Sequence, residues 1–202
     1  MKFFYEKVNF VSQKNKAVRI ETLLGMTRLT IDHVQQSGSA GTYIASMWKE
    51  VFFFSVLIKP SPAILVLGLG AGNVIGLLQK RYTGSIITAI EWDETMTEVI
   101  KHLKLFKTEG VVMLIGDAVE KIVDLPTRYD LIVIDLFTGG TVEPRLITTD
   151  FLNALKVILE ADGEIFINVG AEKDILVHYA RTFHLEKNIR YRYNTIGLFK
   201  KN

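Results

Sequence analysis

The stretch of sequence that decides the fold is Ile64-Leu65-Val66-Leu67-Gly68-Leu69-Gly70-Ala71-Gly72. Its aliphatic start is typical of a strand buried on both faces, and we predict a strand over residues 64–69. The glycines let the backbone turn sharply and approach a ligand, and a helix predicted over residues 72–82 would offer free N–H groups to an anion. The motif alone is weak evidence for a ligand site, because a tight strand-to-helix turn without a ligand would also explain the glycines.

Downstream of this motif, strand-like and helix-like segments alternate strictly. Strands are predicted over residues 86–91, 111–115, 131–135 and 164–169, and helices over residues 94–106, 118–123, 149–159 and 172–184. Such alternation predicts a doubly wound, mainly parallel α/β sheet covered on both faces. Residues 189–199 read as two strands around an Asn194-Thr195 turn, which makes the last strand antiparallel. The expected core residues are Ile64, Leu65, Val66, Ile87, Ile90, Val112, Leu114, Ile132, Val133, Ile134, Ile165 and Ile167.

Upstream of the motif the pattern is different. Residues 17–24 and 26–32 are strand-like and flank Gly25, which predicts a short β-hairpin. A Gly/Ser-rich loop at residues 37–41 follows, and then a helix over about residues 42–57.

Pro60 and Pro62 mark the predicted boundary between two units. Residues 1–59 form the short N-terminal β-hairpin plus helix, and residues 60–202 form the larger α/β domain. The prolines, together with Lys59, also interrupt the longest apolar stretch, so we expect no membrane span and a cytoplasmic protein.

Composition excludes several classes of function. A formal net charge of +2 over 202 residues is too small to argue for nucleic acid as a partner. The chain has no cysteine, so disulfides and Cys-ligated metals are absent. The four histidines show no metal-ligand spacing, and we predict no metal site.

Acidic residues follow three of the predicted strands. Glu91 ends the second strand, about twenty residues after the glycine loop, where an acid can accept both ribose hydroxyls of a nucleotide. The alternative is a solvated loop carboxylate, since Asp93 and Glu94 follow at once. Asp117, with Ala118 after it, follows the third strand, where it could accept from an adenine amino group or merely cap a short helix.

Asp135 ends the fourth strand, so all four signals fall at the carboxyl ends of parallel strands. Open α/β sheets bind their ligands on that side, and the agreement in placement predicts a nucleoside site. A nicotinamide dinucleotide is less favoured, because its fold prefers a third glycine where this chain has Asn73 and does not need Asp117.

With these motifs in place, the stretch from Ile64 to Val169 resembles the catalytic domain of the spermidine synthases, the polyamine aminopropyltransferases. It is also similar to the synthase-like methyltransferases built on the same class I methyltransferase, Rossmann-like fold. Near the N-terminus, Arg28-Leu29-Thr30-Ile31-Asp32-His33-Val34-Gln35-Gln36-Ser37 and then Tyr43 resemble the family hairpin that covers the nucleoside.

The resemblance implies S-adenosylmethionine or its decarboxylated form as a substrate, and roles for individual residues. Asp135 and Tyr43 would be catalytic, although Tyr43 could instead be a core or interface aromatic. The nucleoside would be bound by Gln36, Gly68, Gly70, Gly72, Glu91, Asp117, Ala118 and Asp135. The family also pairs through its hairpin region, so a homodimer is expected, with Phe52-Phe53-Phe54 offering apolar contact.

Two departures from the family pattern weigh against polyamine synthesis. Ala71 stands where aminopropyltransferases carry an aspartate in the glycine loop, and Thr138 stands where they carry a second acid after the fourth strand. A cationic diamine must be held by carboxylates, and one of them should act as base. Glu143 or Asp150 could substitute, but the sequence does not place them.

We therefore expect a transferase that acts on a small-molecule acceptor, with an amine among the candidates. Methyl transfer or another synthase-like activity is slightly favoured, because a sulfonium is already activated and alignment of the nucleophile accounts for most of the rate. The alternatives are a true aminopropyltransferase and a non-catalytic protein that binds the nucleoside or assembles with partners.

Overall fold

The computed structural model of the protein describes residues 5–39, 42–138 and 140–202. Ala40 and Gly41 of the predicted Gly/Ser-rich loop, and Gly139, lie outside these ranges. The strands are β1 (Tyr5–Phe10), β2 (Val18–Leu23), β3 (Met26–Ile31), β4 (Val34–Gly38), β5 (Ala63–Leu67), β6 (Ile86–Glu91), β7 (Val111–Ile115), β8 (Tyr129–Ile134), β9 (Phe137–Thr138), β10 (Thr141–Val142), β11 (Leu159–Asn168), β12 (Phe183–Tyr191) and β13 (Asn194–Lys201). The helices are α1 (Tyr43–Val51), α2 (Asn73–Arg81), α3 (Met96–Leu103), α4 (Ala118–Lys121), α5 (Thr149–Ile158) and α6 (Asp174–Ala180).

The main sheet has the order β12-β13-β11-β8-β5-β6-β7. Six of its seven strands run in the same direction, and only β13, which is antiparallel to both β11 and β12, is reversed. This confirms the predicted α/β class, a mainly parallel sheet with a reversed last strand. Because the chain leaves β5 for β6 on one side and returns to β8 on the other, the carboxyl end of β5 is a topological switch point, where such sheets form a crevice.

Successive residues of β5 pack into opposite layers, which explains its unbroken aliphatic sequence. Leu65 and Leu67 join the layer that includes Phe151 of α5, whereas Ile64 and Val66 face the layer of α1 and α2. These four residues of β5 are fully buried, and each contributes roughly 1.5–3 kcal/mol on burial.

A second, antiparallel sheet has the order β1-β2-β3-β4. The predicted hairpin is confirmed as β2–β3, and β1 and β4 flank it although the sequence did not predict them. Val18, Ile20 and Leu29 of this sheet pack with residues of the glycine loop and of α3. The N-terminal sheet therefore lies directly against the loop that follows β5.

Several predicted boundaries were wrong. The strand predicted over 64–69 ends at Leu67, and the helix predicted over 42–57 ends at Val51, followed by a 3-10 turn at Phe52–Phe54. The helix predicted over 172–184 spans only Asp174–Ala180, because Phe183 begins β12. The closing turn lies at Arg192 and Tyr193 rather than at Asn194-Thr195, which belong to β13.

Exposure of some predicted apolar residues also differs from expectation. Val112 is 52% exposed because β7 is the edge strand of the sheet, and Leu114 is half-buried. Within the Phe52-Phe53-Phe54 run, Phe52 is buried against Phe166, so only Phe53, at 78% exposed, offers much apolar surface. Among the residues that the structure describes, no helix is both long enough and apolar enough to span a membrane.

Candidate functional site

The glycine loop after β5 is built from residues in the left-handed region. Gly68, Gly70 and Gly72 have φ values of +87°, +51° and +89°. A side chain at Gly68 would collide with the carbonyl of Asp135, and one at Gly72 would collide with the ring of Phe106. The close approach of neighbouring backbone and side chains therefore requires glycine at these two positions, whether or not a ligand binds.

Glu91, at the end of β6, is 8% exposed and lies beneath this loop. Its Oε2 atom accepts hydrogen bonds from the backbone N–H groups of Leu69 (3.1 Å) and Gly70 (3.2 Å), and Oε1 accepts from that of Asp93 (3.0 Å). Burial raises the pKa of Glu91, although these N–H groups oppose the shift. The interpretation of Glu91 as a solvated loop carboxylate is wrong, and Oε1 retains a lone pair for a further donor.

Asp117 precedes α4 and is held by two partners. Its Oδ1 atom accepts from the N–H of Val119 (2.9 Å), which is the helix cap allowed for in the sequence, and Oδ2 accepts from Arg145 (2.7 Å). Arg145 also donates to Glu143 (2.7 Å). Partial burial alone would raise the pKa of Asp117, but Arg145 and the backbone N–H groups together hold it below its ordinary value.

Asp135, which follows β8, has both carboxylate oxygens engaged. Oδ1 accepts from Nδ2 of Asn168 (2.9 Å) and Oδ2 accepts from Nε1 of Trp48 (3.1 Å). Burial raises the pKa of Asp135 to about 6, in spite of these two donors. An acid with such a pKa can exchange a proton close to neutral pH.

A single cavity brings together most of the predicted nucleoside-binding residues. It is lined by Asn15, Ile31, Gln36, Gly68, Gly70, Ile90, Glu91, Trp92, Ala118, Asp135, Leu136 and Phe137. An adjoining pocket contains Asp117 and shares Trp92, Ala118, Leu136 and Phe137 with the first. Six of the predicted residues thus line one cavity and Asp117 lines its neighbour, at the carboxyl ends of β5, β6, β7 and β8.

Gly72 and Tyr43 line neither of these pockets. Gly72 is the N-cap of α2. Tyr43, at the start of α1, donates its hydroxyl to the carbonyl of Tyr191 (3.0 Å), accepts from Nδ2 of Asn194 and packs against the Tyr191 ring. This geometry matches the alternative interpretation of Tyr43 as an interface aromatic, since it joins α1 to the β12–β13 hairpin.

The two acids considered as substitutes lie in different places. Glu143 lines the Asp117 pocket together with Thr138, and its carboxylate is bound by Arg145, which lowers its pKa. Asp150 lies at the start of α5, in a separate groove with Ile122 and Val157. Among the described residues, no group of three or more His, Cys, Asp or Glu side chains could hold a metal ion.

Sequence reasoning missed four side chains that shape the site, namely Trp48, Asn73, Arg145 and Asn168. Asn168 could have been found, because it lies one residue before the end of the strand predicted over residues 164–169, and the rule that selected Glu91 and Asp135 extends to it. Trp48 carried no signal, since its partner Asp135 lies 87 residues away in the chain.

With this geometry established, the comparison with known families is decisive. Residues 53–196 match the spermine/spermidine synthase domain. The chain belongs to this family. The match covers β5 to β8 and therefore every strand end that carries a candidate acid.

The relatives carry the names of two kinds of transferase. The polyamine aminopropyltransferase of Vibrio vulnificus (strain CMCP6) is 26% identical over 133 residues, covering 63% of this chain and 44% of that protein. The N-terminal histidine N-methyltransferase of Emericella nidulans is 32% identical over 114 residues, covering 54% of this chain and 20% of that protein. The matches thus span less than half the length of these two relatives.

A solved spermidine synthase, in complex with the transition state analogue AdoDATO, has the same fold. It superposes with a TM-score of 0.74 at 18% identity, over 96% of this chain and 73% of that chain. The superposition includes the N-terminal sheet, because it extends well beyond the residues matched by the family domain.

Proposed function

We propose that this chain binds an S-adenosylmethionine-type nucleoside at the carboxyl end of β5 and transfers an alkyl group from it to a small-molecule amine. The observation that carries the proposal is the single cavity in which Gly70, Glu91 and Asp135 meet at the switch point of the sheet. Membership of the family supports it, because the relatives are named as aminopropyl- and methyltransferases. The solved synthase bound to a transition state analogue supports a ligand at this fold.

Each part of the nucleoside has a candidate partner in the two pockets. Glu91 would accept the ribose hydroxyls through Oε1, which has one backbone donor against two at Oε2. Asp117 and the backbone N–H of Ala118 would receive the adenine, with Asp117 exchanging part of its contact with Arg145 for the adenine amino group. Gln36 would cover the ligand from the N-terminal sheet.

The charge of the cavity favours a cationic ligand. Its charged lining residues are two acids, Glu91 and Asp135. A sulfonium or an ammonium group would gain favourable Coulomb energy beside Asp135, most strongly where water is excluded. A negatively charged ligand would instead face repulsion from Asp135.

Within this class we favour methyl transfer. Among the described residues, and apart from Glu91, which is assigned to the ribose, Asp135 is the one acid that lines the cavity, while Glu143 is bound by Arg145 and Asp150 lies in another groove. One carboxylate provides little counter-charge for a diamine with two ammonium groups. Methyl transfer demands mainly that the acceptor be aligned with the sulfonium.

The atoms balance without a further reactant. The acceptor ammonium first gives a proton to the ionised carboxylate of Asp135, whose pKa is about 6. The lone pair thus freed on nitrogen forms a bond to the methyl carbon, the carbon–sulfur bond breaks and its electron pair stays on sulfur as a neutral thioether.

Calorimetry with S-adenosylmethionine, its decarboxylated form and methylthioadenosine tests the binding step, and turnover assays with monoamines and putrescine test the transfer. We expect binding of S-adenosylmethionine and methylation of a monoamine. Ala118→Leu, which would fill the shared wall of both pockets, should abolish binding, whereas the matched variant Ala154→Leu on α5 should not.

Each other outcome contradicts a named part of the proposal. Preference for the decarboxylated ligand, with aminopropyl transfer to putrescine, would replace methyl transfer by spermidine synthesis. Tight binding without turnover on any amine would favour a non-catalytic nucleoside-binding protein. Failure of all three ligands to bind would refute the nucleoside site itself.

A further inference from the structure

The side chain of Asn73, the first residue of α2, forms two hydrogen bonds with the backbone of Gly38 in β4, and we call this pair of hydrogen bonds the clasp. The Nδ2 atom of Asn73 donates to the carbonyl of Gly38 (2.7 Å), and its Oδ1 atom accepts from the N–H of the same residue (2.9 Å). Because the amide both donates to and accepts from the same residue, it fixes the orientation of β4 relative to α2 as well as the distance between them. The end of β4 is thereby tied to the helix that follows the glycine loop.

Gly38 has room for no side chain. A Cβ atom there would collide with the carbonyl of Thr27 in β3 and with the side chain of Thr42, which precedes α1. Asn73 therefore meets a strand end that is closely packed on its other sides. The clasp therefore adds to the packing against Thr27 and Thr42 that already holds Gly38 in place.

Gln36 lies two residues before this clasp, at an irregular point of β4. Gln35 pairs with Thr30 and Ser37 pairs with Leu29, so Gln36 is the extra residue of a β-bulge. Bulges re-aim a side chain out of the regular pattern of the sheet. Here the side chain of Gln36 lines the cavity that also contains Gly70 and Asp135.

We infer that Asn73 is a positioning residue, whose clasp on Gly38 sets the bulge of β4 and so holds Gln36 over the nucleoside pocket. The inference rests on the proposed function, because it assigns Gln36 to that ligand. Asn73 also lines a small adjoining pocket with Gln36, Gly70 and Asp135, so the double-mutant cycle described below distinguishes action through Gln36 from a direct contact with a ligand.

The same helix provides a matched control. Gln79 makes an equivalent clasp, in which Nε2 donates to the carbonyl of Lys107 (2.7 Å) and Oε1 accepts from the N–H of Lys107 (3.0 Å). Lys107 lies between α3 and β7 and lines neither pocket. N73A thus removes two side-chain hydrogen bonds to one backbone residue, and Q79A removes the equivalent two plus a longer one to the carbonyl of Glu109 (3.4 Å), but only N73A removes them beside the site.

The experiment measures the dissociation constant for S-adenosylhomocysteine and the melting temperature in the wild type, N73A and Q79A. We expect N73A to weaken binding by about tenfold, since two hydrogen bonds are lost, and Q79A to leave it within about twofold. Both variants should lower the melting temperature by similar amounts. Equal affinities in N73A and wild type would overturn the inference, whereas failure of the wild type to bind would overturn the proposed function instead.

A double-mutant cycle separates positioning from general destabilisation. If Asn73 acts through Gln36, then N73A should cost little further affinity in the Q36A background. Full additivity of the two losses would overturn the inference. If N73A does not fold, N73S, which cannot span both backbone atoms, takes its place in the same cycle with the same expected and contrary results.

Discussion

At the scale of single residues, Glu91 can be compared with Glu164, which lies elsewhere in the sheet. Both are buried glutamates that accept backbone N–H bonds, Glu91 from Leu69, Gly70 and Asp93, and Glu164 from Val56. Glu91 ends its strand beside the glycine loop, whereas Glu164 lies four residues before the end of β11 and accepts from Ser55. Their roles should differ because of these positions.

We predict that E91Q weakens nucleoside binding by tenfold to about a hundredfold, whereas E164Q leaves it unchanged. The glutamine at position 91 loses the charge and one acceptor oxygen that the ribose would use, and a hydrogen bond to a charged group contributes roughly 1.5–3 kcal/mol. Calorimetry with S-adenosylhomocysteine on both variants measures this. Similar losses in both would mean that Glu91 supports the loop and does not bind ribose.

Asp135 gives a prediction for stability against pH. Burial raises its pKa from an ordinary 3.8 to about 6, so the folded protein binds the proton more tightly than the unfolded chain does. The favourable contribution is fully present below about pH 3.8 and is lost as pH rises through about 6, by at most about 3 kcal/mol. Denaturant unfolding of the wild type and D135N from pH 4 to 7 measures it. The wild type should lose stability relative to D135N over that range, and parallel curves would contradict the shift.

At the scale of elements, α1 brings Trp48 from the N-terminal unit to the carboxylate of Asp135. The indole N–H lowers the pKa of Asp135 against the larger effect of burial. We predict that W48F raises this pKa by roughly half a unit to one unit, the equivalent of one hydrogen bond. Affinity for a cationic ligand falls when Asp135 is protonated. The pH at which affinity is half of its maximum should therefore be higher in W48F than in the wild type. Calorimetry with S-adenosylmethionine across pH measures the midpoint, and an unchanged value would contradict the role of α1.

The elements also show what a sequence can predict. The bounds of β6 and β7 were predicted correctly because runs such as Ile86–Glu91 are bounded by turn residues and dominated by aliphatic side chains. β1 was missed because only Val8 and Phe10 of this strand are partly buried, and an alternation of two residues is too short to predict a strand. The helix ends failed where tertiary packing decides, as at Phe183, which enters β12 instead of extending α6.

The candidate site divides in the same way. Glu91, Asp117 and Asp135 were predictable because topology alone places the ends of parallel strands at one rim. Their partners were not, since the contacts of Trp48 with Asp135 and of Arg145 with Asp117 join residues 87 and 28 positions apart. Such contacts depend on how the layers pack, which no local pattern encodes.

At the scale of the whole molecule, the proposed nucleoside pocket is lined by residues of two sheets rather than one. The main sheet supplies the glycine loop and the acids, β4 of the N-terminal sheet supplies Gln36, and the connection between β1 and β2 supplies Asn15. Val18 and Leu29 pack with Ala71 of the loop, and Ser12 bonds to the buried Asp93 (2.6 Å). A ligand in this pocket should therefore stabilise both sheets together.

Hydrogen exchange tests this coupling directly. With saturating S-adenosylhomocysteine we predict slower exchange at the amides of residues 36–38 as well as at those of residues 68–72, because opening of either segment would break ligand contacts. The amides of β12, at the far edge of the main sheet, should exchange at the same rate with and without ligand. Protection confined to residues 68–72 would show that the ligand engages only the main sheet. Protection of both segments, lost at residues 36–38 in Q36A, would place the N-terminal sheet in the binding site through the residue that faces the cavity.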